Sequence, residues 1–231
     1  QAWQDATVFE AVAMGIGGNN YYKNCYVDLK ESCLRSETTV KVFDQMRKLQ
    51  SYTDEGSPGR DWNVATGMVI EGKAGFQIMG DWAKGEFTAA GKVPGVDYYC
   101  SPTPSNNGYL YNVDSFIFYK TSDPDKQEGQ KLLAKLMMGK NFQKVFNLYK
   151  GSIPARLDVP MDEFDKCAKT SNADIKTAGA KGGLVPSFAH GMAQGNTMKA
   201  ALQDIITEHF NSDMSSVDAA NALADSVLAN M

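Results

Sequence analysis

The chain has 231 residues, 43% of them hydrophobic and 22% charged, with a formal net charge of −4. That length and balance provide for a buried core and exclude disorder. The 23 Lys and Arg are scattered among 27 Asp and Glu, which excludes nucleic acid or an anionic membrane as the main partner. No apolar run approaches the roughly 18 residues of a membrane span. The first ten residues read as the interior of a helix, without an initiator Met or a leader pattern, so we expect a fragment of a longer protein.

Helices dominate the reading that follows. Val42, Phe43, Met46 and Leu49 share one face of a helix over 39–49. Residues 54–60 form a turn-rich loop, and Asp61 is expected to cap a helix carrying Trp62, Ala65, Met68 and Val69. Residues 74–79 are apolar and bounded by glycines, which predicts a buried strand, and Asp81 is expected to cap a short helix ending near Gly91. Residues 94–108 read as loop, and 112–119 as a second β-rich, aromatic segment. Asp123 with Pro124 signals a helix start. That helix should bury Leu132, Leu133, Leu136 and Met137, and its successor Phe142, Val145, Phe146 and Tyr149, before Gly151 ends it. In the tail, Asn196 precedes Met198, Leu202, Ile205 and Ile206. Ser216 is expected to cap a last helix carrying Val217, Ala220, Ala224, Val227, Leu228 and Met231. Strand–helix alternation flanked by helices predicts an α/β architecture.

Sequences diagnostic of enzymes are absent: there is no GxSxG, HExxH, P-loop or GxGxxG. Cys25, Cys33, Cys100 and Cys167 lack any CxxC pair, and two histidines are too few to complete a metal site, so no metal or other cofactor is expected. Two disulfides or four buried thiols remain open on spacing alone. His209 follows Ile205 by four residues on an apolar face and reads as a core residue, whereas His190 lies on a loop that could aim a ring nitrogen at a ligand hydroxyl. Asp81 reads as a helix cap, with a catalytic carboxylate as the rival. Trp82, at a strand end, offers an indole face that stacks on a pyranose. Asp114 and Lys150 are isolated charges in aromatic surroundings. Each can be read as a ligand contact or as a surface residue, and Lys150 also as a helix-dipole partner.

Taken in order, Asp61-Trp62-Asn63, Met68 to Ala74 (MVIEGKA), Met79 to Phe87 (MGDWAKGEF), Asp97 to Cys100 (DYYC), Asn112 to Phe116 (NVDSF) and Phe146 to Arg156 (FNLYKGSIPAR) resemble the periplasmic glucose- and sugar-binding proteins of ABC transporters. The opening WQDATVFE fits as well. The resemblance implies a periplasmic-binding-protein-like α/β fold of two lobes (type II), with the carboxyl-terminal lobe mainly present here and helix-rich. It implies residues 1–111 as the partial carboxyl-lobe core, 112–150 as a hinge-crossing segment returning to the amino-terminal lobe, and 151–231 as carboxyl-lobe helices, the amino-terminal lobe being absent. Trp82 is implied to stack or pack on the sugar, Asp114 to accept from its hydroxyls, and Lys150 and His190 to donate to others. A Cys100–Cys167 bridge is implied too. Cys25 and Cys33 have no family counterpart, though they are near enough in sequence to pair across a turn.

The expectation is a periplasmic or secreted receptor, not an enzyme, that captures a monosaccharide, glucose foremost, for an ABC transporter permease. One rival is a truncated lobe that self-associates without binding sugar. Another is a glycoside-processing enzyme using Asp81, Glu86 or Asp114. With half of the family's length absent, the apolar surface near Phe116 and Phe118 should lie bare. The chain alone should then bind glucose weakly or not at all and associate with a second copy.

Overall fold

A computed structural model describes residues 1–105 and 108–231; residues 106 and 107, within the loop expected over 94–108, lie outside the described residues. In chain order its helices are α1 Ala2–Tyr22, α2 Glu31–Leu34, α3 Glu37–Gln50, α4 Trp62–Ile70, α5 Lys84–Ala89, α6 Pro124–Met137, α7 Lys140–Lys150, α8 Lys166–Ala180, α9 Asn196–Asn211 and α10 Ser216–Ala229. Two short strands, β1 Tyr109–Tyr111 and β2 Leu184–Pro186, pair in parallel with Leu110 opposite Val185. The chain forms two units. The first comprises Gln1–Gly80, Ser101–Asn112 and Asp174–Met231; the second comprises Asp81–Cys100 and Val113–Ala173.

The first unit is built on faces whose periodicity is visible in the sequence. Ser36 caps α3 by accepting from the Thr39 amide at 3.3 Å, and Val42, Phe43 and Met46 are buried along that helix. On α1, Ala6, Phe9, Ala13 and Met14 turn inward. Phe9, Phe43, Tyr26 and Phe188 form the aromatic centre, with ring centroids 5.0 Å apart for Phe9–Phe43 and 5.1 Å for Tyr26–Phe188. Met198, Leu202 and Ile206 of α9, and Ala220, Leu223, Ala224 and Val227 of α10, complete this core. The cap of α10 is Ser215, which accepts from the Asp218 amide, one residue earlier than the sequence predicts. Val217, Leu228 and Met231 lie outside the buried stripe. The Cys25–Cys33 disulfide, Cα atoms 5.2 Å apart, staples the turn between α1 and α2.

Two expectations fail in this unit. Asp61 stands at the start of α4 without capping its amides; its carboxylate accepts from the Gln1 side chain instead. Residues 74–79 form no strand, and Phe76 is 95% exposed. A strand needs a neighbouring backbone to take up its N–H and C=O groups. No described strand lies beside this one.

The second unit is thinner. Its buried cluster is Val159, Phe164 and Ala168, with Leu148, Ile153 and Met161 packed against it. The Cys100–Cys167 disulfide, Cα atoms 5.8 Å apart, ties the segment ending at Cys100 to α8, and Phe87 stacks on Tyr98 at 4.1 Å. Asp123 caps α6 as expected, accepting from the Asp125 and Lys126 amides. The apolar faces of α6 and α7 are not buried, contrary to expectation. Leu136 is 60% and Tyr149 81% exposed, Leu132, Leu133, Val145 and Phe146 are exposed as well, and Met137 alone on α6 is buried. Leu132, Leu136, Phe142 and Val145 line an open groove of about 560 Å³. The β-rich reading of 112–119 fails too: the strand is Tyr109–Tyr111, and Phe116, Ile117, Phe118 and Tyr119 follow it exposed and irregular. The periodicity marks the apolar faces of these helices, but it does not bury them: no described element covers them.

Candidate functional site

In the second unit the site grows from two glycines. α7 ends at Gly151, whose φ of 90° is the left-handed conformation of a helix-terminating glycine. A Cβ on Gly151 would stand 2.5 Å from the Gly85 nitrogen, and one on Gly85 would stand 2.8 Å from the Lys150 carbonyl oxygen. The start of α5 therefore touches the end of α7 backbone to backbone, and larger residues would part them. This contact explains why the sequence carries GDWAKG and KGS together.

It also seats the charges. Asp81 opens a 3₁₀ turn, Asp81–Ala83, ahead of α5. Its carboxylate does not cap that helix but accepts from the Ile153 amide at 3.1 Å, just beyond Gly151. Burial raises its pKa, opposed by the Lys84 charge, hydrogen bonds from Ser152 and Ile153, and the Lys150 charge. Lys84 is itself buried and pairs with Asp165 at 2.9 Å. Lys150, at the end of α7, pairs with Asp114, and its ammonium lies 5.8 Å from the Phe146 ring centroid. Trp82, half-buried, occupies the 3₁₀ turn beside Asp81. Asp114, Lys150 and Trp82 thus belong to one unit.

His190 belongs to the first unit, in the turn after β2. Its Nδ1 lies 2.7 Å from Ser187 Oγ, and its ring meets Trp3 edge-on at 5.8 Å. Beneath it is a buried carboxylate. Glu10 of α1 accepts from Ser187 Oγ at 2.8 Å, from the Tyr22 hydroxyl at 3.0 Å and from the Ala189 amide at 3.3 Å. Burial, with Glu10 alongside, raises the Tyr22 pKa well above the usual phenol range. A hydrolytic triad needs an imidazole between acid and hydroxyl. Here the hydroxyl lies between acid and imidazole and is itself buried, so the arrangement fixes a turn and creates no nucleophile. His209 is a core residue, as the sequence predicts. It packs against Phe43 at 4.8 Å, both ring nitrogens lack a hydrogen-bond partner among the described residues, and burial lowers its pKa to about 4.

Sequence reasoning missed Glu10, Ser187 and the bridging role of Asp81. Glu10 was marked: it lies four residues from Ala6 and Met14 and three from Ala13, on the stripe that α1 buries. Nothing local marked Asp81 as the partner of an amide 72 residues away.

No group of three or more His, Cys, Asp and Glu among the described residues could hold a metal ion, and no described helix is long and apolar enough to cross a membrane. A family model described as bacterial extracellular solute-binding protein matches residues 2–178. The chain belongs to that family. This solute-binding protein is 47% identical to a probable sugar-binding periplasmic protein of Brucella suis, over 98% of the chain and 54% of that relative. It is 44% identical to a protein of the same description from Rhizobium meliloti, over 98% of the chain and 55% of the relative. It spans about half the length of these curated relatives. Its fold matches a Streptococcus pneumoniae solute-binding protein solved with the blood group A-trisaccharide. The TM-score is 0.68 at 17% identity, over 99% of this chain and 58% of that one. The periplasmic-binding-protein-like class expected from the sequence therefore stands, with its two described strands at other positions than predicted. The family is one of receptors and not of enzymes, and it places the protein in the periplasm or outside the cell, where disulfides persist.

Proposed function

We propose that this solute-binding protein is part of a receptor that captures a monosaccharide, glucose foremost, and delivers it to the permease of an ABC transporter. The relatives described as sugar-binding periplasmic proteins, 47% and 44% identical over nearly the whole chain, carry this reading. Trp82, Asp114, Lys150 and His190 are the proposed contacts. Asp114 and Lys150 already form an acceptor–donor pair suited to neighbouring hydroxyls, and Trp82 supplies an aromatic face for the sugar's C–H surface. The relatives' remaining length is proposed to supply the other lobe and to cover α6, α7 and the 113–119 segment.

The test is calorimetry with D-glucose on a receptor of the relatives' full length that carries this chain. Asp114→Ala and His190→Ala each leave a sugar hydroxyl unpaired at a cost of about 1–3 kcal/mol, so affinity should fall roughly ten- to hundredfold. Unchanged affinity in both variants contradicts the assignment. Tight binding of another monosaccharide, with none of glucose, leaves the receptor and replaces its ligand. Self-association of the chain on its own is the second reading, favoured by the bare faces of α6 and α7.

A further inference from the structure

Ser187 Oγ is the hub of a hydrogen-bond set whose direction can be counted. It lies 2.8 and 3.0 Å from the two oxygens of Glu10 and 2.7 Å from His190 Nδ1, and it accepts from the His190 amide at 3.1 Å. A hydroxyl has one proton and two lone pairs. Glu10, as a carboxylate, can only accept, and the Ser187 hydroxyl, the Tyr22 hydroxyl and the Ala189 amide all face it. If Ser187 gave its proton to His190, two oxygens 2.8 Å apart would meet lone pair to lone pair in a buried site. The Ser187 proton therefore goes to Glu10. One lone pair takes the His190 amide, and the other is left for Nδ1, which must bring the proton. His190 Nδ1 also lies 3.6 Å from Glu10 Oε1. We infer that Glu10 and Ser187 are positioning residues that hold the His190 ring with a proton on Nδ1, so that Nε2 is the hydrogen-bond acceptor when the ring carries one proton.

This rests on the proposed reading of His190 as a sugar contact only for its use. The expectation that His190 donates is then reversed: with one proton on the ring, Nε2 accepts a hydrogen bond from a ligand hydroxyl. A site that accepts through a fixed nitrogen selects a hydroxyl donor over an ether or a deoxy position, which have no proton to share.

Long-range ¹H–¹⁵N spectra of the labelled 231-residue chain, in alkaline solution, test the inference directly. With two histidines in the sequence, His190→Gln assigns the signals. A pyridine-type nitrogen at Nε2 and a pyrrole-type nitrogen at Nδ1 are expected. Ser187→Ala should move the population toward the opposite tautomer and Ser187→Thr should restore it, a rescue that mere packing would not produce. A pyridine-type signal at Nδ1 in the wild-type chain, or a ring still protonated at both nitrogens, overturns the inference even if Ser187→Ala does not fold. Adding D-glucose to the full-length receptor should shift Nε2 upfield. A silent Nε2 at saturating glucose removes His190 from the sugar site and leaves the tautomer standing, so the two failures are distinguishable.

Discussion

The two units spend similar sequence patterns to different effect. In the first, the stripe of α3 closes against α1, α9 and α10, and Phe9, Phe43 and Tyr26 reach full burial. In the second, α6 and α7 carry stripes just as regular, yet Leu132, Leu136 and Tyr149 remain exposed, and the buried apolar cluster is limited to Val159, Phe164 and Ala168. Hydrophobic periodicity is a statement about a face, and its energy is realised only when a second face arrives.

The sharpest way to break this contrast is substitution. Phe9→Ala should destabilise the first unit by roughly 3–5 kcal/mol, whereas Leu136→Ala on the bare face should stay within about 0.5 kcal/mol. Denaturant unfolding compares them directly, and equal losses would mean that the α6 face is covered in solution. The disulfides come next. Cys100–Cys167 spans 67 residues and Cys25–Cys33 spans 8, for which loop-closure entropy gives about 4 and about 2.5 kcal/mol. With so small a core, the second unit should lose amide-exchange protection when Cys100→Ser removes its bridge, while the first unit keeps its own. Protection that survives would show that apolar packing alone holds the second unit.

Much of this was legible beforehand, though unevenly. The α3 stripe, the Asp123–Pro124 start of α6 and the core placement of His209 follow from residues within one or two helical turns of each other. The strands expected at 74–79 and 112–119 did not form, because an apolar run cannot state whether its hydrogen-bonding neighbour lies in the same 231 residues. Of the candidate site, Asp114 and Lys150 were singled out separately and the fold pairs them. Asp81 and Glu10 escaped because a carboxylate's partner is chosen by tertiary contact: the Ile153 amide for one, the Ser187 hydroxyl for the other.

Smaller effects sharpen the same comparison. His209 titrates near 4 through burial and the Arg47 charge, opposed by Asp44, against about 6.5 in an unfolded chain. The unfolded state therefore binds the extra proton first. The stability is intact above about pH 6.5 and falls as pH drops toward 4, by up to about 1.4 kcal/mol per pH unit. His209→Gln should flatten that part of the pH–stability curve, and an unchanged slope would place the titration elsewhere. Smallest is the exposed Asp114–Lys150 pair, where Asp114→Asn should change stability by about 0–1 kcal/mol. A larger loss on thermal unfolding would assign the pair a structural role in place of the binding role proposed for it.

Coverage of the second unit's bare face by polypeptide beyond these 231 residues is the part of the proposed function with the widest consequence, since the chain spans 54% of the Brucella suis relative. Sedimentation of the 231-residue chain across a concentration series, paired with calorimetric titration by D-glucose, decides whether that face needs a cover. The mass should rise with concentration, with little or no heat of glucose binding. A concentration-independent monomer that binds glucose at micromolar affinity would contradict it.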